Sequence, residues 1–129
     1  MGLMRDIRIG LFEPVISDLT EAELRDAPSD VQAVYDELTG LGCRRIEESV
    51  ESLELAGRYI VEGILSETHR NDARHIAVAT VGQVGMLVSW NFKHVVHYDK
   101  IRRFNAVNAL TGYSPIQIYT PMEVASEEV

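Results

Sequence analysis

The segment NDARHIAVATVGQ, residues 71–83, constrains the fold more than any other stretch of the chain. It has the length of a helix, is rich in alanine and is apolar nearly all round. A helix without a broad polar face has to be covered by its neighbours, so the segment predicts a buried helix. Asn71 is the expected N-cap, and Asp72 is the expected acid of the first turn.

Short apolar runs alternate with helical patterns along the rest of the chain. Strands are predicted at Val15–Ser17 and, more weakly, at residues 43–48, with two more at 86–90 and 116–120. Further helices are predicted at residues 20–27, 28–40, 49–67 and 98–113, with a terminal helical turn at 121–126. Strands spaced by helices are typical of an α/β fold with a parallel sheet between helices, and 129 residues fit one domain.

Local signals place the ends and the inward faces of these helices. Thr20 and Glu23 have the spacing of a capping box, and Ser29 and Gly40 bound the next helix. Helical spacing predicts that the third predicted helix packs inward with Leu53, Ala56, Tyr59, Ile60 and Ile64. The same spacing predicts inward residues at Ile101, Phe104, Val107 and Leu110, with Gly112 ending that helix.

Charge and cysteine content exclude several classes of protein. The net charge of −8 disfavours broad, non-specific binding to nucleic acid. Residues 1–67 carry 15 acids and 6 bases, whereas residues 68–129 carry 5 acids and 6 bases, so any nucleic-acid surface belongs to the second half. Cys43 is the single cysteine, which excludes an intramolecular disulfide and a cysteine-based zinc cluster. With no secretory signal and no long apolar span, a cytoplasmic protein is expected.

Polar residues follow the predicted strands. In parallel sheets flanked by helices, ligands bind beyond the carboxyl ends of the strands. Those ends are Ser17-Asp18, Ser89-Trp90-Asn91 and Tyr119-Thr120. Asp72 opens a helix at the same edge, so these side chains are expected to converge on one rim.

Five stretches in order resemble PIN-domain proteins. They are ISDLTEAEL, DARHIAVAT, LVSWNFKHVV, NALTGY and IYTPMEV, and the resemblance covers about residues 11 to 125. It implies a PIN-like three-layer sandwich with a short, mostly parallel sheet between helices. It also implies a ribonuclease that uses Mg²⁺ or Mn²⁺. Many members of this family are the toxin of a toxin–antitoxin pair, which implies RNA as the substrate and an antitoxin protein as a partner.

The resemblance also carries site residues over to this chain. It implies Glu23 and Asp72 as metal ligands, since hard cations bind carboxylate oxygens, and Asn91 as a catalytic residue that orients water. The family's first strand and its Asp have no counterpart here, so residues 1–129 are expected to be an N-terminally truncated PIN-like domain. The neighbours of an absent central strand lose backbone partners, which predicts a homo-oligomer.

A basic strip follows the last of these residues. Within eleven residues the sequence carries Lys93, His94, His97, Lys100, Arg102 and Arg103, and a single acid, Asp99. One interpretation is contact with an RNA backbone. The other is a solvated helix face without a ligand.

Each candidate site residue also has a purely structural explanation. Glu23 completes a capping box with Thr20, Asp72 suits the positive end of a helix, and Asn91 suits the cap of a short turn. His75 is expected to be packed or hydrogen-bonded within the buried helix and not to be a catalyst. The alternative function is therefore a catalytically inactive, truncated PIN-fold module for binding or oligomerisation.

Overall fold

The structure, a computed structural model, describes residues 13–88 and 98–119, which form four short strands and five α-helices. The strands are β1 (Val15–Ser17), β2 (Arg44–Ile46), β3 (Met86–Val88) and β4 (Gln117–Tyr119). The helices are α1 (Asp18–Leu24), α2 (Ser29–Gly40), α3 (Val50–Val61), α4 (Arg70–Val81) and α5 (Tyr98–Leu110), with a 3₁₀ turn at Glu67–His69. Within these two ranges no helix is long and apolar enough to cross a membrane. The predicted α/β class and all four predicted strands are confirmed; the predicted turn at residues 121–126 lies outside the described residues.

The four strands form two separate parallel pairs. In one pair Ile16 of β1 lies opposite Arg45 of β2, and in the other Leu87 of β3 lies opposite Ile118 of β4. The sequence predicted one sheet, but within residues 13–88 and 98–119 no strand joins the two pairs. Helix α4 contacts both β1 and β3, so both pairs lie against the same helix.

Helix α4 is the buried helix that the sequence predicted. Its buried residues are Ala73, Ile76, Ala77, Val78, Ala79 and Thr80. The helix begins at Arg70 after His69, so the prediction that Asn71 is the N-cap is wrong. The 3₁₀ turn before α4 supplies helical geometry early and moves the start of the helix upstream of Asn71. Asp72 does lie in the first turn, as predicted.

Helices α3 and α5 complete the core through an aromatic contact and a buried hydrogen bond. The rings of Tyr59 and Phe104 meet edge to face, with centroids 4.9 Å apart and planes at 81°. This is a favoured geometry for aromatic pairs. The Tyr59 hydroxyl donates to the Oδ1 of Asn108, and both side chains are fully buried. The phenol therefore enters the core because its polar tip has a partner.

One predicted inward residue of α3 points outward. The buried face of α3 carries Ser52, Leu55, Ala56 and Tyr59, so Leu53 is 47% exposed. Because a serine occupies one of the buried positions, the spacing of the apolar residues does not show which face of α3 is buried. Ser52 is tolerated there because its hydroxyl accepts from the Ser49 N–H and donates to the Ser49 carbonyl.

The segment before β4 is attached to α5 by one amide side chain. Asn105 accepts a hydrogen bond from the Ile116 N–H at 2.8 Å and donates one to the Ile116 carbonyl at 2.9 Å. This satisfies both backbone groups of Ile116, a buried residue. Helix α5 ends as predicted before Gly112, whose φ of +88° only glycine adopts without strain. Leu110 in its last turn is exposed, which corrects its predicted inward position.

The Tyr59→Phe variant is expected to lower the free energy of unfolding by about 1–2 kcal/mol, because Asn108 loses its donor in the core. Urea unfolding measures the change. Tyr113→Phe is the matched control, because Tyr113 donates to Glu51 at an exposed site where water replaces the hydroxyl. Equal losses for the two variants would contradict a buried Tyr59–Asn108 bond.

The stability of the chain is expected to fall as pH rises from 10 to 12, with a contribution from Tyr59. Burial raises the pKa of Tyr59 from 10.0 to about 12. The unfolded chain releases this proton near pH 10, while the folded chain keeps it, so the contribution is complete below pH 10 and is lost above it. Tyr59→Phe should remove up to about 1.4 kcal/mol per pH unit of this slope. Parallel slopes for the wild type and Tyr59→Phe would contradict the prediction.

Candidate functional site

The carboxyl ends of β1 and β2 are joined through one aspartate. Asp18 directly follows β1, and its Oδ1 accepts hydrogen bonds from the backbone N–H of Leu19 at 2.8 Å and of Glu48 at 3.0 Å. Glu48 lies two residues beyond β2. Asp18 therefore links the carboxyl ends of β1 and β2 by accepting hydrogen bonds from backbone N–H groups.

Helix α4 approaches the same rim with an arginine. Arg74 contacts Glu48 through two parallel hydrogen bonds, Nε to Oε2 at 2.8 Å and Nη2 to Oε1 at 2.6 Å. The Glu48 side chain is only 15% exposed. The hydrogen bonds to Glu48 raise the pKa of Arg74. This two-pronged geometry is the strong form of an ion pair, so it fixes the start of α4 against the end of β2.

Glu23 extends from α1 to α4. The cap of α1 is Ser17, whose Oγ accepts from the Thr20 N–H at 3.1 Å, so the predicted Thr20–Glu23 capping box is wrong. The helix starts directly after β1, which gives Ser17 the capping position. The Glu23 Oε1 instead lies 2.9 Å from the Nε2 of His75. His75, a residue of α4 whose side chain is 11% exposed, is hydrogen-bonded as predicted, and its partner is Glu23 of α1.

Asp72 lies on the same stretch of α4 as His75. The two residues are three apart, and residues three apart share a helix face. The Oδ2 of Asp72 is 3.8 Å from the Nδ1 of His69, and its side chain is mostly covered. We call Glu23, Asp72 and His75 the α4 rim. Glu23 therefore contacts α4 three residues from Asp72, so both predicted metal ligands lie near the first turns of this helix.

A polar trio fixes α1, and with it Glu23. Glu21 accepts from the Tyr35 hydroxyl of α2 at 2.9 Å and from the Nε of Arg45 in β2 at 2.8 Å. These two contacts, the one from Tyr35 first, lower the pKa of Glu21. Because Glu21 and Glu23 belong to the same short helix, the trio limits how far Glu23 can turn from α4.

Two of the three predicted catalytic residues, Glu23 and Asp72, lie within the described residues. In residues 13–88 and 98–119, no group of three or more His, Cys, Asp or Glu side chains is arranged to hold a metal ion. The carboxylates of Glu23 and Asp72 are oxygen donors of the kind that Mg²⁺ and Mn²⁺ bind. Asn91, the third predicted catalytic residue, lies outside the described residues.

Three residues of the predicted basic strip lie on α5. Arg103 donates to the Glu62 carbonyl at 3.2 Å and so satisfies the C-terminal end of α3. Arg102 is paired with Asp99 at 3.4 Å on the exposed surface, and Lys100 is half-buried. The other predicted RNA-binding residues, Lys93, His94 and His97, lie outside the described residues.

Sequence reasoning missed Glu48 and Arg74. A signal for Glu48 existed, because it ends the predicted strand at residues 43–48, and acids at the carboxyl ends of parallel strands are candidate rim residues. Arg74 gave no such signal. Its partner is 26 residues away, and nothing local in the sequence indicates that pairing.

Comparison of the chain with protein-family models, curated proteins and solved structures found no match. The resemblance to PIN-domain proteins therefore stays a prediction.

The Arg74→Ala variant is expected to lower the free energy of unfolding by about 1–3 kcal/mol, since it leaves the largely covered Glu48 without its cation. Arg70→Ala is the control on the same helix. Arg70 pairs with Glu67 at an exposed site, where an ion pair is worth about 0–1 kcal/mol. Chemical denaturation compares the two. An Arg74→Ala loss no larger than that of Arg70→Ala would contradict the role given to the Glu48 contact.

Proposed function

We propose that this chain is a PIN-like, metal-dependent ribonuclease in which Glu23 and Asp72 are metal ligands and Asn91 orients the attacking water. The observation that carries the proposal is the position of Glu23. Its carboxylate is not used to cap α1 and instead reaches α4, where it contacts His75 three residues from Asp72. Carboxylates from two separate elements would supply the oxygen ligands that Mg²⁺ and Mn²⁺ bind.

The residues of the α4 rim would then have distinct roles. His75 is a positioning residue that holds the Glu23 carboxylate against α4. A bound Mg²⁺ or Mn²⁺ would lower the pKa of a water molecule and offset charge on the phosphate. The water oxygen would form a bond to phosphorus, the bond to the leaving sugar oxygen would break, and that oxygen would take up a proton. Basic side chains of the strip from Lys93 to Arg103 would hold the RNA backbone.

The finer fold belongs to the same proposal. We infer a PIN-like three-layer sandwich in which the two parallel pairs, β1–β2 and β3–β4, lie between layers of helices. Two features support it: both strand pairs are parallel, and β1 and β3 both contact the buried helix α4. Helix-covered parallel sheets are the common setting for parallel strands.

A catalytically inactive binding module is the second candidate. It is favoured by the partners that the acids already have: Glu23 pairs with His75, Glu48 with Arg74, and Asp18 with two backbone N–H groups. Asn91 adds no negative charge. An antitoxin protein as a partner is compatible with either candidate and stays a prediction.

Titration with Mn²⁺ by calorimetry is expected to detect binding to the full chain that weakens at least about tenfold, ~1.4 kcal/mol, in Asp72→Asn and in Glu23→Gln. Both substitutions keep the size of the side chain and remove its charge. Asp36→Asn, on the exposed surface of α2, is the control and should bind as the wild type does. Circular dichroism confirms that each variant is folded.

The outcome separates the two candidate functions. Binding that depends on Glu23 and Asp72, together with Mn²⁺-dependent cleavage of RNA, supports the ribonuclease. Dependent binding without cleavage leaves a metal-binding module. No binding, or binding that Asp36→Asn weakens equally, contradicts the proposed site. Asn91→Asp then tests the third position, where added charge should strengthen Mn²⁺ binding if the residue faces the ion.

A further inference from the structure

Helix α3 presents an apolar stripe on the side facing away from the core. Val50 is 74% exposed, Leu53 47% and Val61 81%. With Gly57 they follow one another at spacings of three, four and four residues, which puts all four on one helix face. Single exposed apolar residues are ordinary on protein surfaces, but a continuous stripe of them indicates an interaction surface. We call Val50, Leu53, Gly57 and Val61 the α3 stripe.

Within the described residues, no close contact explains why position 57 is a glycine. A Cβ added at Gly57 would meet no atom within 4 Å. Glycine inside a helix is less favourable than alanine because it loses more backbone freedom on folding. A glycine that weakens its own helix, flanked by exposed Leu53 and Val61, is explained if another backbone approaches the helix at this point.

We propose that the α3 stripe docks a second copy of this chain, with the two α3 helices antiparallel and crossing at Gly57. A two-fold axis at the crossing sets Gly57 against Gly57. It also places Leu53 of each copy against Val61 of the other, since both lie four residues from the glycine. The two apolar contacts are equivalent, as a two-fold interface requires. The small residue at the centre lets the helix axes approach to the lower end of the usual spacing of about 8–10 Å.

Charges beside the stripe fit this arrangement. Glu54 and Arg58 lie on the same flank of α3, one on each side of Gly57 along the helix. Reversal of one helix brings Glu54 of each copy near Arg58 of the other, so the flank is complementary to itself. In the single chain Arg58 pairs with Glu62 four residues away, with both side chains 45% exposed. An exposed pair of this kind exchanges partners at little cost.

The expected dimer is weak. A pair of twelve-residue helices with flanking side chains buries less than the roughly 1,200 Å² of a standard interface. A dissociation constant on the order of 10–100 µM is therefore expected. Sedimentation of the full 129-residue chain from about 5 µM to about 1 mM should show a monomer becoming a dimer.

The decisive variant is Gly57→Ala. The added methyl group lies between the two helices, so the dissociation constant should rise at least tenfold, while the melting temperature of the dilute monomer should rise because alanine favours the helix. Gly40→Ala, at the last residue of α2, also adds a Cβ with nothing within 4 Å and is the matched control. It should leave the dissociation constant unchanged.

Cysteine cross-linking tests the direction of the helices. In a Cys43→Ser background, an equal mixture of Leu53→Cys and Val61→Cys chains should form mixed disulfide dimers more readily than either variant alone. A chain that stays monomeric at about 1 mM overturns the proposal and leaves the stripe to another protein or to another segment of the chain. Equal dimerisation of Gly57→Ala and Gly40→Ala, or preferred pairing of identical variants, overturns it as well.

Discussion

The burial of α4 is the constraint on which the rest of the structure depends. Its covered positions include Ala73, Ala77 and Ala79, whose small side chains allow neighbouring backbones to come close. Helix α3 packs on one side, and β1 and β3 both contact the same helix. Because strands of three residues offer few ladder hydrogen bonds, each pair also depends on its packing against α4.

The polar end of α4 joins the buried helix to two other parts of the chain. A helix that is apolar in the middle has to satisfy its charged first turns where it leaves the core. Arg74 does so with Glu48, and His75 does so with Glu23. Each contact ties α4 to a different part of the chain, the segment after β2 in the first case and α1 in the second. The same contacts that fix the helix therefore bring acids from two other parts of the chain to the first turns of α4.

Local sequence patterns predicted the helices and strands well, but they did not predict contacts between residues far apart in the sequence. The four strands, the buried α4 and the acid of its first turn are set by short-range apolar spacing and end signals, and all were predicted. The predicted N-cap of α1 was wrong because Thr20 and Ser17 are both suitable N-cap residues. The helix starts directly after β1, and this start selects Ser17. The Glu48–Arg74 contact joins residues that no local rule connects.

The buried face of α3 shows the same limit of sequence-based prediction, here for two neighbouring residues. Leu53 and Ser52 are neighbours, and hydropathy favours the burial of the leucine. The capping bonds of Ser49 and Ser52 satisfy the serine hydroxyl, so the serine can face the core and the leucine faces out. The result is both a correction to the predicted core and the origin of the apolar stripe on α3.

The most direct test of the α4 rim as a metal site is the loss of backbone amide signals in an NMR spectrum as Mn²⁺ is added to the folded chain. The paramagnetic ion broadens the nearest amides first. If Glu23 and Asp72 hold the ion, the signals of Glu23, Asp72 and His75 disappear at the lowest Mn²⁺ concentrations, while those of Asp36 on α2 persist. Early loss centred on the acids of α2 or α3, with the α4 rim signals intact, would contradict the site.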